Sequence, residues 1–185
     1  MRVLAIDAGD VKSAYTIWDN NQKKIVEKAW IDNEVFLETL RKLPNAAFDI
    51  VVIEQLVSMG MPVGMTTFNT IFQNGRLHEM FVTQKGIEPV WVNRLDVKMH
   101  LCMSTRAKEG NVRQALVNRF GEPSTKKKPH DTYNELTDKI YFGSHFWSCL
   151  ALTMYCVEPH HSNPLILDSY GIVKNKEDYQ KGTVN

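Results

Sequence analysis

Apolar and polar positions fall along the chain in short, punctuated blocks, and each block predicts one element. Val3-Leu4-Ala5-Ile6 is an apolar run that ends at Asp7 and breaks into the turn sequence Ala8-Gly9-Asp10. Ser13 to Trp18 alternates roughly with period two and turns at Asp19-Asn20-Asn21, and Lys24 to Ile31 continues as a third strand. Strands joined by such short turns predict an antiparallel meander at the N-terminus. Over 34–43 the spacing changes to helical (Val35, Phe36, Leu40, Leu43), and Pro44 ends it. Asp49-Ile50-Val51-Val52-Ile53-Glu54 has no alternation. A strand apolar on both faces is one covered on both sides, as in a central parallel strand.

Apolar residues at 68, 71, 72, 77, 80 and 81 predict a long helix over 66–83, after a loop holding Gly60 and Pro62. Pro89 to Val92 reads as a short strand. Val112, Leu116 and Phe120 mark an amphipathic helix over 106–120, stopped by Gly121 and Pro123, with a Lys-rich loop over 122–129. Ser144 to Val157 is almost wholly apolar and so predicts a buried helix, with Pro159 beyond it. The order is βββαβαβα as far as residue 120, closed by the 144–157 helix: an α/β domain over 1–158 with a central mixed sheet flanked by helices, then a polar C-terminal tail over 159–185.

A length of 185 residues, 43% hydrophobic and 23% charged, fits one soluble domain able to bury a core without disulfides. Low-complexity and collagen-like classes are excluded. No apolar run reaches the roughly 18–20 residues of a membrane helix, so no membrane partner is expected. An acid at Asp7 inside the first apolar run departs from a secretory signal. Cys102, Cys149 and Cys156 are odd in number and lack CxxC spacing, which fits a reducing cytoplasm and neither a disulfide framework nor a zinc site. The net charge of +1 hides an uneven distribution. From Arg94 to Lys128 nine basic residues face three acids, a net +6, leaving −5 elsewhere. That asymmetry fits either a face that grips a polyanion or a solvated helix face beside a lysine-rich loop.

Two carboxylates stand apart because each ends an apolar strand: Asp7 and Glu54. Strand C-termini in α/β sheets open into a crevice, and acids gathered there need a cation. Their hard oxygens suit Mg²⁺ or Mn²⁺. The plainer reading is that each acid begins a turn or caps a helix. His145 and Ser148, at i and i+3, share one face of the last helix, either as packing residues or with His145 as a metal ligand or proton carrier at the same crevice. Asp7-Ala8-Gly9 also resembles the phosphate loop of actin-like and sugar-kinase ATPases. That fold needs two lobes, and this length holds one.

Together the motifs resemble the RuvC family of Holliday junction resolvases, among the ribonuclease H-like nucleases. The resemblance runs from Met1 to about Val157. Val3 to Gly9 is similar to the first strand with its catalytic aspartate, and Val52-Ile53-Glu54-Gln55 to the strand bearing the catalytic glutamate. Gln73-Asn74-Gly75-Arg76 resembles the Gly-Arg step of the following helix. Val97-Lys98 and Ala107-Lys108-Glu109 followed by Val112 resemble the two lysine-bearing segments, and His145 to Leu152 the terminal catalytic helix. A short segment between Asp7 and Glu54 is in keeping with a compact, phage-type member.

The resemblance implies a ribonuclease H-like fold and Mg²⁺- or Mn²⁺-dependent endonucleolytic cleavage of four-way junctions and other branched DNA, in recombination, repair or the debranching of phage DNA. It implies Asp7, Glu54, His145 and Lys108 as catalytic residues. The metal set would be Asp7, Glu54, His145 and Ser148. Ser148 stands where the family has an acid, so Asp138, or else Asp131 or Glu135, is a candidate substitute. Lys98, Arg106, Lys108, Arg113 and Arg76 would contact DNA, Arg119 and Lys126 to Lys128 would hold duplex arms, and Met59, Met61 and Phe68 would meet the opened junction or simply pack. A homodimer joined through the 66–83 helix is implied, matching the junction's near two-fold symmetry. Two alternatives remain: a junction-binding protein with weak catalysis, because of Ser148, and a ribonuclease H-like enzyme acting on RNA or RNA–DNA hybrids.

Overall fold

The apolar runs and alternating blocks become strands where the pattern places them. A computed structural model of the chain describes residues 1–57, 60, 62–121 and 143–158. Strands β1 (Arg2–Asp7), β2 (Lys12–Asp19) and β3 (Lys24–Asp32) form the antiparallel meander. Helix α1 (Asn33–Lys42) and a 3₁₀ turn (Asn45–Ala47) lead to β4 (Ile50–Gln55). Helix α2 (Met65–Met80) runs on through a π turn (Phe81–Lys85) to β5 (Val90–Asn93). The remaining described elements are α3 (Arg94–Cys102), α4 (Glu109–Phe120) and α5 (Ser144–Val157). Strand β4 pairs in parallel with β1 and β5, so the mixed sheet has the order β3-β2-β1-β4-β5.

Side chains alternate across a strand, so the central strands feed two cores. Val3, Ala5, Ala14, Trp18 and Val52 pack on one face against α3, α4 and α5, through Val97, Leu116 and Leu150 among others. Leu4, Ile6, Tyr15, Ile17, Val51 and Ile53 pack on the other against α1 and α2, through Phe36, Leu40 and Leu77. Helix α5 lies over β1 and β2, which accounts for its nearly unbroken apolar sequence. Cys149 and Cys156 belong to that packing, and burial pushes the Cys156 thiol up to about 12.

Three local features differ from the sequence reading. Residues 94–102 form α3, one helix more than the four read from the sequence. The sequence Arg94-Leu95-Asp96-Val97-Lys98-Met99-His100-Leu101 alternates polar and apolar, which conceals a helix. Its start is set instead by Asn93, whose Oδ1 accepts from Leu95 N at 2.8 Å. Helix α4 begins at Glu109 rather than 106, because Asn111 Oδ1 accepts from Lys108 N at 2.9 Å and fixes Lys108 as the cap. In α2 only the C-terminal half is core: Leu77 and Met80 are buried, whereas Met65, Phe68, Ile71 and Phe72 are exposed. Asp131, Glu135, Asp138, Lys126 to Lys128, Met59, Met61 and the tail over 159–185 lie outside the described residues.

This layering predicts unequal costs for two truncations. Leu150→Ala, at a fully buried position, lowers the unfolding free energy by about 2–5 kcal/mol. Val35→Ala, on the outer face of α1, changes it by less than about 0.5 kcal/mol. Urea denaturation of both variants checks the difference.

Candidate active site

Strand pairing brings the two acids together. Strands β1 and β4 are parallel, with Ala5 opposite Val52 and Ile6 opposite Ile53, so Asp7 and Glu54 follow at adjacent positions on the same sheet edge. Helix α5 starts at this edge and brings His145 and Ser148; α3 supplies Arg94 directly after β5, and α4 supplies Glu109 and Arg113. Together they line an open cleft of about 580 Å³. Asn74, buried on α2, donates to the Glu54 carbonyl at 3.3 Å and ties the end of β4 to the helix beside it.

The loop after Asp7 is held from both sides. Asn33 Nδ2 donates to the carbonyls of Gly9 (3.1 Å) and Asp10 (3.2 Å), and its Oδ1 accepts from Ser13 Oγ at 2.6 Å. Ser13 Oγ also accepts from Gly9 N at 3.3 Å. A Cβ at Gly9 would collide with the Lys12 carbonyl oxygen, so this turn requires glycine.

His145 Nδ1 lies 3.0 Å from Asp7 Oδ2, and this hydrogen bond holds the imidazole above its ordinary pKa against the opposing effect of burial. The other support of the ring is Trp30, half-exposed on β3 and stacked on it with centroids 5.4 Å apart. Burial pushes the Glu54 carboxyl up to about 7, and the Asp7 charge adds to the rise while Arg94 opposes it. Arg94 Nη1 stands 3.6 Å from Glu54 Oε2, and the same guanidinium is hydrogen-bonded to Glu109. Lys98 Nζ reaches Glu109 at 3.2 Å. Burial works against ionising Glu109, but these two cations outweigh it and keep its carboxyl below the usual range. On the far wall the Arg113 guanidinium lies 5.3 Å from the Trp147 ring.

Of the residues singled out by sequence, Asp7, Glu54, His145, Ser148 and Arg113 line the cleft, and Lys98 stands one contact behind it on Glu109. Lys108 caps α4 at the surface, and Arg106 borders a separate hollow with Cys102 and Asn111. Arg76 sits apart, bonded to both carboxylate oxygens of Glu34 at 2.7 and 2.8 Å. Asn33, Trp30, Arg94 and Glu109 were not singled out for the site. Arg94 and Glu109 carried a signal, since both belong to the +6 stretch, but a charge count does not reveal that they pair. Two carboxylates side by side at the mouth of a cleft fit a hard divalent cation by donor chemistry. Among the described residues no three His, Cys, Asp or Glu side chains converge as a metal cage, so water and phosphate oxygens would complete the sphere.

No protein family and no curated protein matches this chain by sequence. Solved structures do match by shape. The RuvC structure of Thermus thermophilus aligns with a TM-score of 0.60 at 13% identity, covering 84% of this chain and 93% of that one. T. thermophilus RuvC in complex with a Holliday junction substrate aligns at 0.57 and 12% identity, covering 84% and 92%. With its β3-β2-β1-β4-β5 sheet and the acids of β1 and β4 meeting under the start of α5, the chain has a RuvC-like, ribonuclease H-type fold.

Proposed function

We propose that this protein is a structure-selective, metal-dependent endodeoxyribonuclease that cleaves Holliday junctions and other branched DNA. The observation that carries the reading is the Asp7–Glu54 pair at one sheet edge, in a cleft lined by Arg94 and Arg113, with Lys98 behind it on Glu109. Asp7 and Glu54 would hold Mg²⁺ or Mn²⁺. Such an ion supplies an activated water and stabilises the leaving oxygen.

The chain's own groups do the rest. The hydrogen bond to Asp7 favours a protonated His145, which suits a proton donor to the leaving oxygen better than a metal ligand. Arg113, together with Lys108 and Arg106 at the start of α4, offers charge to backbone phosphates, a grip that weakens with salt and reads shape more than sequence. Arg76 joins that grip only by leaving Glu34. Ser148 on the cleft wall favours a second reading, a junction-binding protein with weak catalysis.

The exposed stripe of Met65, Phe68 and Phe72 on α2 supports a homodimer, because three large apolar side chains on one helix face are costly to leave in water. Phe72→Glu is expected to convert a dimer to a monomer in sedimentation equilibrium without loss of helical circular dichroism.

One assay separates the functional readings. A labelled four-way junction, a linear duplex and an RNA–DNA hybrid are incubated with the protein and Mg²⁺ or Mn²⁺. Paired nicks in the junction, reduced at least about a hundredfold by Asp7→Asn, are the expected outcome. Tight binding without cutting, rescued by Ser148→Asp, favours the second reading. Preferential loss of the hybrid contradicts both.

The Glu54 carboxyl also makes stability depend on pH. Its folded value of about 7 exceeds the ordinary 4.5, so the folded state binds this proton more tightly than the unfolded chain. Stability from this group is therefore lost as pH rises from about 4.5 to 7, by on the order of 3 kcal/mol. In urea unfolding with chelator, Glu54→Gln gains on the wild type between pH 5 and pH 8. An unchanged difference contradicts the assignment.

A further inference from the structure

The cleft already contains a cation. Arg94 opens α3, and its side chain is four-fifths buried, at 18% exposure. The guanidinium stands between Glu54, 3.6 Å from Nη1, and Glu109, which it holds through Nη2 and through Nε at 3.3 Å. Nη1 is buried without a hydrogen-bond partner among the described residues, so towards Glu54 it acts as a charge. Lys98 bonds the same Glu109 at 3.2 Å, leaving that carboxylate committed to two cations. A guanidinium cannot shed its proton in a protein, so the charge is permanent.

Counting formal charges decides how much more the cleft can take. Asp7, Glu54 and Glu109 are negative, and Arg94, Lys98, Arg113 and a protonated His145 positive, a net +1. Ser148 contributes a hydroxyl and no charge. One divalent ion together with one phosphodiester brings that sum to +2, or to +1 once His145 has given up its proton. A second divalent ion would add two more charges with no uncommitted acid to offset them, beside a fixed guanidinium in a partly desolvated site where like charges repel strongly.

We infer that Arg94, locked in place by Glu109, is a resident cation that limits the Asp7/Glu54 centre to a single divalent ion. The inference rests on the proposal that Asp7 and Glu54 hold a divalent cation, and it identifies α3 as the element that sets how many. It also gives Glu109 a role as a positioning residue, since the carboxylate keeps the guanidinium against Glu54 and is itself withheld from ligation.

The test counts bound Mn²⁺ on the full chain without DNA, by isothermal titration and by electron paramagnetic resonance of free ion. Only ions lost in Asp7→Asn are counted. The wild type is expected to bind one. Arg94→Gln, with Arg94→Met as a second neutral variant that keeps the aliphatic stem, is expected to bind two. Arg94→Lys keeps the charge and is expected to bind one. Two ions on the wild type overturn the inference, as does one ion at wild-type affinity in a neutral variant that retains its circular dichroism. A wild type that binds no Mn²⁺ contradicts the metal proposal itself, and the single-ion limit falls with it.

Discussion

Everything at the cleft depends on the parallel pairing of β1 with β4. Parallel strands end at the same edge, and a register that sets Ile6 against Ile53 leaves Asp7 and Glu54 side by side where the apolar layer stops. A slip of one residue would send one acid to the opposite face. The two cores resist that slip. Val3, Ala5 and Val52 are committed to one face, and Leu4, Ile6, Val51 and Ile53 to the other, so any shift would mispack side chains of different size in both cores and draw a polar end residue into the apolar layer. The fold's hydrophobic burial therefore pays for the proximity of two like charges.

Those charges shape what surrounds them. Burial raises the Glu54 carboxyl to about 7, yet Arg94 stays 3.6 Å away and makes no hydrogen bond to it. A structure built only for stability would close that gap. Here the guanidinium is drawn towards Glu109 instead, leaving Glu54 with a deficit of positive charge that a divalent ion can fill. On the other side, Asp7 is engaged by His145, and Trp30 buttresses the imidazole. The Asn33–Ser13 clamp then fixes the loop that follows Asp7. The acids are thus held by groups that restrict their motion without satisfying them, which is a preorganised site in physical terms.

The same contrast explains what was legible in the sequence. Strands β1, β2, β3 and β4 were readable because apolar runs and period-two alternation are local, and the two acids stood out because each terminates such a run. Helix α3 was not, since its residues alternate like a strand and its start depends on one Asn93 side chain. The exposed half of α2 was hidden too: helical spacing marks apolar positions at Phe68, Ile71 and Phe72 without revealing whether anything covers them. Trp30, Asn33, Arg94 and Glu109 escaped for a common reason. Each acts through a partner far along the chain, as Trp30 does with His145 and Arg94 with Glu54, and only tertiary structure creates those pairs.

If Asp7 and Glu54 form one centre that a divalent ion completes, the Glu54 carboxyl must respond to that ion. Carbon-13 carboxyl NMR of selectively labelled Glu54, titrated with and without Mg²⁺, tests it most directly. A midpoint near 7 is expected in the metal-free protein, with a clear fall when Mg²⁺ is added. A midpoint at the ordinary carboxylate value, unmoved by the ion, would contradict it.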